Sequence, residues 1–144
     1  MKIVVQRSLI SEVLVDEIIV GKIEKGLVLL VCIEREDTSE TMLKAATKVL
    51  NLRIFEDKTG KMTSNIIQAQ GQILAVSQFT LSWNGKGGHR PSFDLSMPPQ
   101  EAKVLFKIFC DAIREHVDVE TGRFGQHMCL NIQNDGPVTF NLSF

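Results

Sequence analysis

Apolar positions along the chain change period several times, and each change marks an element. Ile3–Gln6 is β-branched and reads as extended. Glu12–Val15 and Ile18–Ile23 flank Asp16-Glu17 and predict a hairpin. Leu27–Ile33 is seven apolar residues without polar alternation, the pattern of a strand buried on both faces. Asp37-Thr38-Ser39-Glu40 then predicts a helix start, with a carboxylate cap and an acid three residues on. Met42, Ala45, Ala46, Val49 and Leu50 follow at helical spacing, and the helix should end near Leu50. Arg53–Phe55 reads as a short strand before the turn Glu56–Lys61.

Ile73–Val76 is a strand that should run on into Ser77-Gln78-Phe79-Thr80-Leu81. Ser82–Pro91, rich in glycine, reads as a surface loop. Pro98-Pro99 opens a second helix, marked by Ala102, Leu105, Phe106, Phe109, Ile113 and Val117. Thr121–Gly125 is a turn. Met128, Leu130 and Ile132 alternate with polar residues, as do Phe140, Leu142 and Phe144, which predicts two half-buried strands around Asn134–Pro137. Many strands with two helices, and no repeating strand–helix unit, indicate an α+β fold.

Composition narrows the class. The chain has 144 residues, 44% of them apolar, enough for one globular domain over 1–144 without disulfide or metal staples. Sixteen basic and 17 acidic residues leave a net charge of −1, so bulk charge cannot hold a polyanion. The charge is uneven, however. Residues 10–57 carry ten acids and six bases, whereas 58–93 contain no acid but do contain Lys58, Lys61, Lys86 and Arg90. The seven-residue apolar run falls far short of the ~20 residues of a membrane span, and the N-terminus lacks a secretory core. Cys32, Cys110 and Cys129 form no C-x-x-C pair, which points to a reducing, cytoplasmic setting.

Candidate chemistry is sparse. His89 sits in the glycine loop and is the histidine best placed to touch a ligand; His116 reads as a helix-end cap and His127 as a surface strand residue. None has metal-ligand spacing to another side chain, so no metal or cofactor is expected. Gly85–Gly88 is not followed by the G-K-[ST] of a phosphate loop.

Two segments stand out. Ser77–Leu81 sets two hydroxyls and an amide where a strand meets a loop. As a continuing strand it would put Gln78 and Thr80 on one face, with Ser77 and Phe79 on the other. It is either an ordinary β-prone segment or a polar cup with N–H donors for an oxyanion. Asn134–Thr139 places a proline just after Asp-Gly. That is either a hairpin turn with an edge-strand proline or a cis Gly–Pro bond that turns two carbonyls to one side, as an ammonium receptor requires.

Together, Met1–Arg7 (a basic residue, then Val-Val-Gln-Arg), Asn51–Phe55, Ser77–Leu81, Arg90-Pro91-Ser92-Phe93, Thr121–Gly125 and Asn134–Thr139 resemble the D-aminoacyl-tRNA deacylase family of bacteria and eukaryotes. The matches are collinear and span nearly the whole chain. The resemblance implies a β-rich, barrel-like α+β domain acting as a homodimer. It implies hydrolysis of the ester between a D-amino acid, or glycine, and the terminal adenosine of tRNA. Ser77, Gln78, Phe79 and Thr80 match the family's catalytic-pocket motif, which Leu81 ends. Gly136-Pro137 matches a cross-subunit motif that filters chirality, and Arg7 matches the residue that holds it. Phe124 matches an aromatic that houses the terminal adenine, with Met128 nearby in the substrate pocket. Lys86 and Arg90 would grip the acceptor end of the tRNA at the rim. Ser82–His89 and His127-Met128-Cys129 depart from the family's usual residues. A nucleic-acid-binding module without catalysis, or a plain dimeric scaffold, would not need both Ser77–Leu81 and Asn134–Thr139.

Overall fold

The computed structural model describes residues 1–144. Its sheet is organised around one long strand, β1 (Lys2–Val15). Along one edge Ser11–Val15 pairs with β2 (Ile18–Ile23), and Lys2–Ser8 pairs with β3 (Gly26–Cys32), both antiparallel. The predicted hairpin is present, turning at Asp16 and Glu17, both at positive φ. β1 changes partner at a bend where the buried hydroxyls of Ser8 and Ser11 lie 2.5 Å apart. β3 continues into parallel pairing with β6 (Gln72–Ser77), and β6 pairs in parallel with β7 (Val119–Thr121). β2 curls round against β6 and β7, so the sheet approaches closure as a barrel. Two glycines permit the close passes. A Cβ on Gly21 would lie 2.8 Å from the Thr121 carbonyl oxygen, and one on Gly26 would lie 1.7 Å from that of Gln72.

This topology explains the unbroken apolar run of β3. Leu27, Leu29 and Val31 join the main core beneath the helices, together with Ile73 and Ala75 of β6. Val28 faces a second cluster, with Val13, Ile23, Leu74 and Val76. A strand between two apolar layers has no polar face to show.

α1 (Ser39–Asn51) and α2 (Pro99–Arg114) pack on each other and on the sheet. α1 buries the five residues that its spacing marked. Its cap differs from expectation. Thr38, not Asp37, is the N-cap, and Thr41, not Glu40, closes the capping box by accepting from Thr38 N–H at 3.2 Å. Asp37 is engaged elsewhere, accepting from Glu34 N–H and the Met1 ammonium, each at 2.7 Å. α2 opens on Pro99 and buries Ala102, Phe106, Phe109, Cys110 and Ile113. Neither helix is long and apolar enough to cross a membrane.

Further expectations change, and the segments Ile3–Gln6 and Glu12–Val15 are parts of one strand, β1. The strand proposed at Arg53–Phe55 is only β4 (Phe55–Glu56), paired with β5 (Met62–Ser64), which the pattern did not reveal. The two strands around Asn134–Pro137 are one, β8 (Cys129–Ser143), which follows β1 from end to end across register shifts. The strand through Ser77–Leu81 stops at Ser77 and becomes a 3-10 turn, Phe79–Ser82.

Candidate active site

The carboxyl ends of the parallel strands β3 and β6 open into a cavity of about 610 Å³. Ser77, Gln78 and Phe79 form one lip, and Phe124, His127 and Met128 approach from the segment before β8. The N-terminal turns of α2 supply the floor through Pro98, Pro99, Ala102 and Phe106. Phe93, returning from the glycine loop, closes the mouth. Its ring meets that of Phe79 edge-on, with centroids 5.0 Å apart. Phe106 and Phe124 meet at 5.9 Å on another wall. The lining therefore joins aromatic surface suited to a stacked base with a few polar groups at one lip.

The 3-10 turn decides the chemistry of that lip. Gln78 N–H donates to the Val31 carbonyl at 2.7 Å, the last bond of the β3–β6 ladder. The chain then coils, so strand alternation does not set the faces of residues 78–81. Gln78 and Thr80 nonetheless meet through the coil, because the Gln78 amide lies 2.5 Å from the Thr80 hydroxyl. The N–H groups of Phe79 and Thr80 open the turn and have no partner within it. Lys2 Nζ steadies the other end, reaching the carbonyls of Leu81 at 3.2 Å and Ser82 at 3.4 Å.

No histidine or carboxylate hydrogen-bonds Thr80; its neighbour is an amide, which is no base. The arrangement offers positioned hydroxyls and backbone donors rather than an activated nucleophile.

The Gly136–Pro137 peptide is cis and lies within β8 rather than in a hairpin turn. Both residues are exposed, and neither lines the cavity of its own chain. Arg7 is buried beneath them. Its Nη1 donates to the Ile54 carbonyl at 2.9 Å, Nη2 reaches Glu56 at 3.3 Å, and Nε lies 2.9 Å from the Asp135 carboxylate. The last contact is an ion pair rather than an angled hydrogen bond, since Nε has no acceptor in line. Asn134 Nδ2 bridges the Arg7 and Val138 carbonyls at 3.0 and 3.1 Å. Gly136 has φ +122°, and a Cβ there would meet Val138 N at 2.9 Å and Arg7 Nη2 at 3.3 Å.

The structure thus brings Ser77, Gln78, Phe79, Phe124 and Met128 to one cavity, with Thr80 and Leu81 on the adjoining turn. Arg7, Gly136 and Pro137 form a separate group. Lys86 and Arg90 are exposed on the loop that leads back to Phe93 and do not line the cavity, nor does His89. His127, read as a surface strand residue, lies before β8 and lines the cavity. Pattern reading also missed Arg35, Phe93 and Gln126. Phe106 was visible only as core, although it serves as wall as well.

A barrel-like α+β fold whose cavity joins aromatic walls to a polar lip defines the class as proteins that take a flat ring beside a polar group. Comparison with known proteins makes the class particular. A family model described as D-Tyr-tRNA(Tyr) deacylase matches residues 4–143. A D-aminoacyl-tRNA deacylase of Shewanella frigidimarina (strain NCIMB 400) is 49% identical over 139 residues, covering 96% of each chain. One from Kosmotoga olearia (strain ATCC BAA-1733 / DSM 21960 / TBF 19.5.1) is 47% identical over 142 residues, covering 99% of this chain and 96% of its own. This chain belongs to the D-aminoacyl-tRNA deacylase family. Among solved structures, one named "c-Myc DNA Unwinding Element Binding Protein" superposes with a TM-score of 0.95 at 38% identity, covering 100% of this chain and 99% of its own. A probable eukaryotic D-amino acid tRNA deacylase superposes at 0.84 with 18% identity, covering 98% of each, which shows the shared fold.

Proposed function

We propose that this chain hydrolyses the ester between a D-amino acid, or glycine, and the terminal adenosine of tRNA, as a cytoplasmic homodimer. The observation that carries the reading is the convergence of Ser77–Phe79 and Phe124 on one cavity in a chain that matches the family over residues 4–143. In this reading the adenine stacks on Phe124 and the ester carbonyl sits at the lip. Water adds to the carbonyl carbon, and the Phe79 N–H stabilises the oxyanion. The ester C–O bond then breaks; the ribose oxygen takes a proton, and the free amino acid and tRNA leave. The substrate's neighbouring ribose hydroxyl assists the proton movement, because the Thr80–Gln78 pair supplies no base. Thr80 and Gln78 position groups instead.

Chiral selection is assigned to Gly136-Pro137 of the second copy, whose carbonyls enter the cavity and bind the ammonium. An L side chain would run into them, a D side chain would point to open space, and glycine has nothing to exclude. Breadth across D side chains follows. Exposure of Gly136 and Pro137 away from their own cavity supports a cross-subunit role. So does the outer edge of β8, which pairs with no other strand and carries exposed Phe140. Lys86 and Arg90 grip the acceptor end beside the Phe79–Phe93 mouth, and this contact should weaken with salt.

The test is incubation with D-tyrosyl-tRNA and L-tyrosyl-tRNA, counting released tyrosine. Release from the D ester alone is expected. Release from neither would refute hydrolysis and favour a nucleic-acid-binding role, the property for which the 38%-identical protein is named. Equal release from both would refute the filter.

A further inference from the structure

A second concavity, of about 550 Å³, lies between the outer face of α2 and the turn after β7. Its charged lining is entirely basic: Lys103, Lys107 and Arg114 from α2, and Arg123 from the turn. Asp111, on the same helix, is shared between Lys107 and Arg114. Neither Lys103 nor Arg123 has a carboxylate within ion-pair distance. The lining thus carries four cations and no carboxylate, in a chain of net charge −1.

The spacing is regular. Lys103, Lys107 and Arg114 stand at i, i+4 and i+11, which places them along one face of the helix. At a rise of about 1.5 Å per residue, Lys103 and Lys107 are roughly 6 Å apart along the axis. That is comparable with the step between successive phosphates of one RNA strand. Arg123 adds a planar fork suited to a phosphate.

The concavity also shares a wall with the candidate active site. Phe106, Phe124 and Gln126 line both. A nucleotide chain whose terminal base stacks on Phe124 can therefore leave over that shared wall and enter the basic groove directly.

We infer that the phosphates of the tRNA strand leading to the terminal adenosine lie along Lys103, Lys107, Arg114 and Arg123. The inference rests on the ester-hydrolase reading above and extends it by naming the RNA-binding track. The track is sequence-independent, because it reads backbone charge alone. Lys86 and Arg90 then hold the terminal nucleotide at the mouth, and the α2 groove holds the strand that leads to it.

The test uses the intact protein and uncharged tRNA, with affinity measured across a salt series. For K103Q/R123Q, the dissociation constant should rise about tenfold, and the slope of log affinity against log salt should lessen by about 1.5–2. K25Q, in the turn before β3, removes a charge away from the groove and should match the parent. In parallel, the parent and the double variant are assayed on D-tyrosyl-tRNA and on D-tyrosyl-adenosine, which carries no phosphate. The variant's loss should be confined to the tRNA substrate. An affinity within twofold of the parent with an unchanged slope overturns the track, whatever the parent hydrolyses. So does an equal loss on both esters, or an equal loss in K25Q. Weakened binding in the double variant, from a parent that cleaves neither ester, supports the track and overturns the hydrolase reading instead.

Discussion

Arg7→Met tests whether the buried guanidinium holds the Gly136-Pro137 segment. Methionine keeps most of the apolar stem in place and removes only the polar head. The Ile54 carbonyl, now 2.9 Å from Nη1, would be left buried without its donor, at about 1–3 kcal/mol. The ion pairs with Asp135 and Glu56 weigh less, because those side chains are 34% and 53% exposed. Solvent screening holds them to about 0.5–1 kcal/mol each. The loss is then about 2–5 kcal/mol, or a fall in Tm of roughly 6–18 °C for a chain of this length. Asp135 immediately precedes Gly136, so losing its anchor should also loosen the segment. The ratio of D-tyrosyl-tRNA to L-tyrosyl-tRNA hydrolysis should fall at least about tenfold, equivalent to about 1.4 kcal/mol of lost discrimination. Calorimetry and parallel deacylation assays read the two effects. A Tm within about 2 °C of the parent would show that the guanidinium contributes little (a threshold of roughly half a kcal/mol). A lowered Tm with an unchanged D-to-L ratio would show that Arg7 supports the fold without positioning the filter.

Thr80→Ala should reduce the deacylation rate only partly, by about tenfold or less, since it removes a positioning hydroxyl; a complete loss, with an acyl-enzyme trapped in the parent, would make Thr80 the nucleophile. Burial pushes the Cys32 thiol up to about 11 and the Cys110 thiol up to about 12. Native protein treated with iodoacetamide near pH 8 should therefore carry label only at exposed Cys129, and mass spectrometry showing label on Cys110 would contradict the packing of α2. Hydrogen bonds from Thr59 and Thr63 hold the Asp57 carboxyl down at about 2, from a usual 3.8. Its stabilisation of the β4–β5 turn is thus complete above pH ~3.8 and lost as the pH falls through about 2, and an NMR titration midpoint near 3.8 would show those bonds are not made in solution. Gly26→Ala should abolish folding or cost more than about 4 kcal/mol, because the added methyl meets the Gln72 backbone; a soluble variant of near-parental Tm would refute the close pass of β3 on β6.

What was legible in the residues depended on how local its cause was. The α1 stripe, the two-sided burial of β3 and the Asp16-Glu17 hairpin each follow from a few neighbouring side chains, and each is present. The α1 cap lies one residue beyond its expected position because the Asp37 carboxylate is claimed by Glu34 and Met1, groups brought to it by the fold. β8 reads as two strands because a polar run with a proline looks like a turn in isolation. The Asn134 amide bridges the carbonyls of Arg7 and Val138 there, so the strand continues where its own ladder lapses. Residues 79–82 carry no local mark of a 3-10 turn; after the last ladder bond, from Gln78 N–H to Val31, the chain coils and Leu81 N–H returns to the Gln78 carbonyl.

Locality also separates the two halves of the candidate site. Ser77–Phe79 is contiguous, and its unusual polar content at a strand end was visible as such. The basic groove was not, because Lys103, Lys107 and Arg114 have the spacing of an ordinary solvated helix face, and Arg123 reads as a turn residue. They become one surface only when β7 returns the chain beside α2, with Thr121 and Arg123 against the helix. The acid-free stretch 58–93 drew attention to Lys86 and Arg90 because it is contiguous in the chain. An RNA strand contacts charge that is contiguous in space. A basic groove assembled from Lys103, Lys107, Arg114 and Arg123 can therefore carry a strand of an RNA partner although residues 103–123 hold four acids as well, and a net charge of −1 is compatible with both.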